Sequence, residues 1–252
     1  GIRGSIVGAG DLVESGTLTL ASDGYIGGSG DQVIEPGGNF NWSSGTLAGS
    51  GKLTVGQGAT ASISGSSSRL CETREFTNDG VAAIADNTVI SACNNQGQTA
   101  NFTNNGTLQI GSAVKFYEYY NGYIVLPVLH NTGTITKLGA ADTDIHWPID
   151  NDGTIDAQSA ALNFYGGGIA DSVSDGTFTS APTAAIQFGR TGFQVTPPPP
   201  MTLAGGANLF SGNITIHGPI IVEGDSTISG HTTVGIRGSI VGAGDLVESG
   251  TL

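Results

Sequence analysis

Residues 212–229 read GNITIH, GPIIVE and GDSTIS, three consecutive six-residue units that each open on glycine. The second and fourth residues after glycine are mostly apolar: Ile214 and Ile216, then Ile220 and Val222, then Ile228 alone. That is the period-two alternation of a short strand with one buried face, and the glycine marks the corner. The pattern runs on as GHTTVGIR from Gly230, with two extra residues, then as GSIVGA and GDLVES. Near the other end of the chain Leu18 and Leu20 keep the same spacing after Gly16, and GYIGGS follows from Gly24. Strands this short, turned every six residues, do not suit ordinary hairpins. They suit a solenoid whose coils hydrogen-bond to one another at about 4.8 Å. The spacing therefore predicts an all-β chain folded as a parallel β-helix or β-solenoid, with a β-sandwich array as the alternative.

The middle third carries a second signature on longer coils. Phe76-Thr-Asn-Asp-Gly, Phe102-Thr-Asn-Asn-Gly, Asn131-Thr-Gly-Thr-Ile and Asn151-Asp-Gly-Thr-Ile place glycines at 80, 106, 133 and 153, and Ser174-Asp-Gly adds Gly176. Spacings of 20 to 27 fit three-strand coils with loops of varying length. Asn-X-Gly is expected to turn the corner through residues that tolerate positive φ, with Thr-Leu or Thr-Ile opening the next strand. Ladders of like residues are expected to stack here.

Residues 1–18, GIRGSIVGAGDLVESGTL, recur unchanged as residues 235–252. The chain is thus one full period, residues 1–234, followed by the opening of a second copy at Gly235. The reading is a window on a longer polymer of near-identical repeats, in which residue 252 continues as residue 19 does. An engineered duplication restoring a missing rung is the rival explanation. No linker separates the copies, whereas Pro197 to Pro200 cannot donate to a ladder and read as an extended joint. The expected organisation is a solenoid over 1–196, irregular from about 67, a polyproline joint at 197–200, and a regular short-strand solenoid over 201–252. The seam where one repeat meets the next is expected to draw part of its core from Ile2, Ile6, Val7, Leu12 and Val13.

Glycine contributes 42 of 252 residues and charged residues only 12%, while hydrophobic residues reach 38%. Glycine this frequent disfavours long helices. Regularly spaced Ile, Val, Leu and Phe offset the ordering entropy, so the composition is not that of a disordered chain. A net charge of −13 repels nucleic-acid phosphates and anionic headgroups, which argues against both as partners. The longest apolar run, 123–129, is too short to span a bilayer, which takes about 20 residues. The start at Gly1, with no signal peptide in view, is read as a mature fragment.

The recurring N-x-G-[TV]-[LIV] and S-G-T-L strings resemble those of bacterial β-helical surface proteins, the autotransporter passengers and filamentous-haemagglutinin-type adhesins. The resemblance covers about two thirds of the chain in low-complexity pieces. It implies an extracellular or cell-surface protein of adhesion or matrix. It transfers no active-site residues, because that family is defined by its scaffold.

Candidate chemistry is sparse. Asp142, Asp144, Asp150 and Asp152 cluster around His146 and Trp147, and alternating carboxylates offer hard oxygen ligands to Ca²⁺; surface turns of an acidic protein look the same. Tyr117, Tyr119 and Tyr120 lie in KFYEYYNGYIVL, the most aromatic segment, where rings can stack on sugars or cover the core. Cys71 and Cys93, 22 residues apart, suit a disulfide between neighbouring coils or two buried thiols. Glu72 and Glu75 lie near Arg69 and Arg74, but nothing in their spacing demands glycosidase chemistry. No nucleophile motif stands before a helix and no zinc spacing occurs, so the chain reads as no enzyme and needs no cofactor. The resulting expectation is a structural subunit of an extracellular fibre that partners copies of itself end to end. A carbohydrate-binding adhesin domain and a polysaccharide-degrading β-helix enzyme are the alternatives.

Overall fold

The computed structural model describes residues 4–93, 100–118, 126–170, 172–189, 199–235 and 237–251. These residues form thirty strands and no helix. The strand pairings are parallel throughout, so the chain is a β-solenoid of about ten turns. A β-sandwich array is excluded, because hairpin-linked sandwich strands pair antiparallel.

Among the described residues each turn contributes a strand to each of three faces, save one that gives the second face only a bridge from Ser174 to Leu203. The first face stacks Ser5–Gly8, Tyr25–Gly28, Gly45–Leu47, Ser68–Cys71, Val89–Cys93, Lys115–Glu118, Thr143–Ile145, Ala160–Phe164 and Ala184–Phe188, and then residues 214–216 and 232–234. The second face begins at Leu12–Glu14 on Gln32–Ile34 and ends at Pro219–Val222 under Ser239–Gly242. The third begins at Thr17–Leu20 on Asn39–Trp42 and ends at residues 226–228 under Leu246–Glu248. Turn length varies widely: Thr215 pairs with Thr233 across a short turn of three hexads, whereas Phe116 pairs with Ile145, and Phe178 with Phe210, across much longer ones. The ladder tolerates this because extra residues loop out at corners while the strands keep register.

In the region of hexads, each hexad is one face. Gly206–Ile216 and Ser226–Val234 are single strands that bend from the third face to the first at Gly212 and Gly230. Those two glycines hold φ of 89° and 101°, a backbone region that costs other residues energy. Pro197 and Pro198, in the expected joint, lie outside the described residues. On either side of them the ladder runs on, with Ile186–Phe188 paired to Ile214–Ile216.

Alternation sends one set of side chains inward, as in Thr60–Ile63, where exposed and buried residues alternate. The lumen is largely apolar and rich in aromatic rings. Phe40, Trp42, Phe76, Phe102, Phe116 and Trp147 form a run of ring contacts with centroids 4.7–6.4 Å apart. Phe164, Phe178, Phe188 and Phe210 form a second such run. Such pairs contribute beyond their buried area.

The Asn-X-Gly strings build the corner between the second and third faces. Asn78, Asn104, Asn131 and Asn151 stack in one fully buried column, each Nδ2 donating to the next Oδ1 at 2.7 Å. The same Nδ2 groups reach the backbone carbonyls of Thr107, Thr134, Thr154 and Thr177. The glycines that follow do not supply positive φ, contrary to the sequence expectation. They are needed for close approach: a Cβ on Gly133 would stand 2.1 Å from the Gly106 carbonyl oxygen, and one on Gly153 2.1 Å from that of Gly133.

Candidate functional site

The arrangement with most functional content is the duplicated segment at the two ends of the coil. Its first copy forms Ser5–Gly8 on the first face and Leu12–Glu14 on the second, each paired only with the turn that follows. Its second copy forms Ser239–Gly242 on the second face and Leu246–Glu248 on the third, each paired only with the turn before. Identical sequence thus occupies different faces.

Several local features are nevertheless shared, although Gly242 has a positive φ that Gly8 lacks. Glu14 Oε1 accepts the Gly16 N–H at 2.7 Å, and Glu248 Oε1 accepts that of Gly250 at 2.6 Å. Ile6 stands opposite buried Ile26, and Ile240 opposite buried Ile220. At the corner before the leucine, Asp11 Oδ1 accepts the Asp31 N–H at 2.9 Å; at the second copy Asp225 Oδ1 accepts the Asp245 N–H at the same distance. Of the five seam residues expected from sequence, Ile6 and Leu12 stand in inward columns. Val7 and Val13 stand in outward ones, 63% and 59% exposed, because strand alternation points every second residue away from the lumen. Ile2 lies outside the described residues.

A second arrangement lies on the outer side of the first face. Tyr117, 44% exposed, meets the His146 ring edge-on with centroids 5.1 Å apart, and His146 meets Tyr165 in the same way at 5.2 Å. The register that pairs Phe116 with Ile145 and Ile145 with Phe164 sets the three rings one above another. Beside them Asp144 Oδ1 accepts the Asn163 amide at 2.9 Å. Tyr119 and Tyr120 lie outside the described residues. The ladder of Tyr117 with His146 and Tyr165 escaped sequence reading, because the two intervening turns differ in length and no fixed period links the rings.

The four aspartates do not gather into a cation site. Asp144 lies on the first face with Asp142 just before its strand, and Asp150 on the second with Asp152 just after its strand, with the Trp147–Pro148 corner between. Each carboxylate is engaged between turns: Asp142 by the Ala161 N–H, Asp144 by Asn163, Asp150 by His130 at 3.3 Å and Ser174 at 3.3 Å, and Asp152 by the Asp175 N–H. Among the described residues no three metal-ligating side chains converge. The hydrogen bond from His130 holds the Asp150 carboxyl below the usual carboxylate range, while burial pushes that of Asp152 up, aided by the charges of Asp150 and Asp175.

Cys71 and Cys93 sit opposite one another in adjacent turns, Cα atoms 4.9 Å apart, joined by a disulfide. Glu72 holds a positive φ of 60° and accepts the Gly49 N–H of the turn below. Glu75 meets Lys52 at 3.4 Å and Thr77 at 3.0 Å. Arg74 is fully buried, its Nη1 3.5 Å from the Gly30 carbonyl, and burial pushes its pKa down. These carboxylates are tied into the wall of the coil. No helix of the described residues is long and apolar enough to cross a membrane.

Comparison with known proteins finds no matching family model, no matching curated protein and no matching solved structure.

Proposed function

We propose that the chain is the repeating unit of an extracellular or cell-surface fibre, wound continuously from tandem copies of the β-solenoid over 1–234 and serving as a stalk, filament or matrix component. One observation carries the reading: the duplicated segment pairs upward in one copy and downward in the other, so superimposing the copies closes the ladder without a gap. At the seam the inward column then runs Ile220, Ile240, and the next repeat's counterpart of Ile26. An unpaired strand edge is a template for further pairing, and tandem continuation consumes it. The function is mechanical. Bending such a rod strains all three ladders at once, and its disulfide suits an oxidising compartment. The bacterial surface adhesins that the sequence resembles fit the same role.

Electron microscopy of the native material, with mass determination under denaturing and reducing conditions, tests this. Fibres that dissolve into one chain many multiples of the repeat mass are the expected result. Discrete particles of a single 25.3 kDa chain would overturn it.

The outward ring ladder of exposed Tyr117 and half-buried His146 and Tyr165 supports a second reading, an adhesin surface that stacks on a cell-surface or matrix polysaccharide lying along the coil. Glycan-array binding that is lost in Tyr117→Ala is its expected outcome; binding unchanged by that substitution removes it.

A further inference from the structure

The repeat length and the three-faced turn are out of phase. From Ser5 the first face rises through ten turns to residues 232–234, and Ser239, the copy of Ser5, lies one face further on. The rest of the copied segment agrees. Leu12 is on the second face and Leu246 on the third; Thr17 is on the third and Thr251 bridges to His231 on the first. The period that runs from Gly1 to its copy at Gly235 therefore makes ten complete turns and one additional face.

We infer that each repeat of the fibre is turned by one face, a third of a turn of the coil, relative to the repeat before it. The partner seated on Ser239–Gly242 and Leu246–Glu248 is the next copy of this same repeat. This rests on the tandem-fibre reading and adds to it the register of the joint. The chemistry of the seam accepts the shift, because the segment keeps its inward and outward sides and its glutamate cap on either face, although its partners across the turns differ. Its Ile is inward and its Val outward in both copies, with Ile6 39% exposed and Ile240 partly buried against Val7 at 63% and Val241 at 54% exposed. The Glu14 and Glu248 caps are alike. The Asp column composes as well: Asp225 accepts from Asp245, Asp11 accepts from Asp31, and Asp31 Oδ1 accepts the Lys52 N–H at 2.8 Å. Overlaid at Asp11 and Asp245, these bonds form one run across the joint, although Asp225 precedes a third-face strand and Asp31 a second-face strand.

The offset governs what the fibre shows its surroundings. The Tyr117, His146 and Tyr165 ladder, confined to one face of each repeat, is carried to the next face in the following repeat and returns after three. At about 4.8 Å per turn a repeat advances about 50 Å, so the pattern recurs on one face every ~150 Å. A fibre built this way offers any lateral surface property on all three faces in rotation, where a whole number of turns would confine it to one.

Cryo-electron microscopy of the native fibre decides this. The expected map shows filaments in which the bulky density of Trp42 and its neighbours, on the third face of one repeat, lies on the first face of the next. Filaments in which equivalent side chains keep the same face through successive repeats would overturn the offset while leaving the fibre reading intact. Absence of filaments, with single 25.3 kDa particles only, would overturn both.

Discussion

Asn104 donates from Nδ2 to Asn131 Oδ1 at 2.7 Å across adjacent turns, with both side chains closed off from solvent. An unpaired amide at this depth costs about 1–3 kcal/mol, so the column is stable only when continuous. Asn104→Ala removes the middle of the column and orphans Asn131 Oδ1. It is expected to cost about 2–3 kcal/mol in urea denaturation, whereas Asn105→Ala, at an exposed corner, should stay within about 0.5 kcal/mol. Equal effects would show that the column is not a stabilising element.

Gly133→Ala tests the close approach of neighbouring corners. Its Cβ would lie 2.1 Å from the Gly106 carbonyl oxygen, a backbone atom held by its own ladder. The turn has to separate locally, and a loss of about 2 kcal/mol or more is expected in the same assay. Gly37 makes the comparison: it has positive φ but open space, so its Ala variant should lose only the smaller cost of a strained backbone, about 1 kcal/mol.

Acid sensitivity should divide between two aspartates two residues apart. Asp150 is held below its ordinary value mainly by His130, so its contribution is complete above the unfolded value of about 3.9 and is lost as pH falls through the lower folded value. Asp152 is raised by burial, so its ionised form costs stability at neutral pH and acid relieves that cost. Denaturation midpoints followed from pH 6 to about pH 2.5 should therefore fall less steeply in Asp150→Asn and more steeply in Asp152→Asn. The same slope in both variants would contradict the assignment.

The disulfide closes a loop between Cys71 and Cys93, at a sequence separation of 22. The chain-entropy relation gives about 3 kcal/mol for a loop of this size. Cys71→Ser with Cys93→Ser should lower stability by that order, and wild type in reductant should match the double variant.

Arg74 is buried with no hydrogen-bond partner for Nε or Nη2 among the described residues. Replacing a poorly paired buried charge by an apolar chain of similar length relieves its desolvation, so Arg74→Met should be neutral or stabilising by about 1–2 kcal/mol. A clear loss of stability would mean that the guanidinium holds the Gly30 corner.

Much of the coil was legible in residues 212–229, because one face of a β-solenoid needs only a corner and two inward side chains, and a hexad states both. The Asn-X-Gly strings announced their corner, yet the reason for their glycines was missed: a 2.1 Å approach between turns leaves no mark on the local sequence. The acidic group around Trp147 looked like a cation site in the linear chain. The corner there sends Asp144 and Asp150 to different faces, and each finds its partner one turn away.

By itself the sequence determined the fold class, the repeat and the position, Gly235, at which the repeat restarts, since these depend on alternation and identity along the chain. Which residues meet across turns, as Tyr117 meets His146 and Asn104 meets Asn131, was decided only in three dimensions, because turns as unequal as those joining Thr215 to Thr233 and Phe178 to Phe210 set no fixed period between partners. The face on which a repeat restarts belongs to the same class. It depends on the running total of every turn in the period, and only the wound coil adds that up.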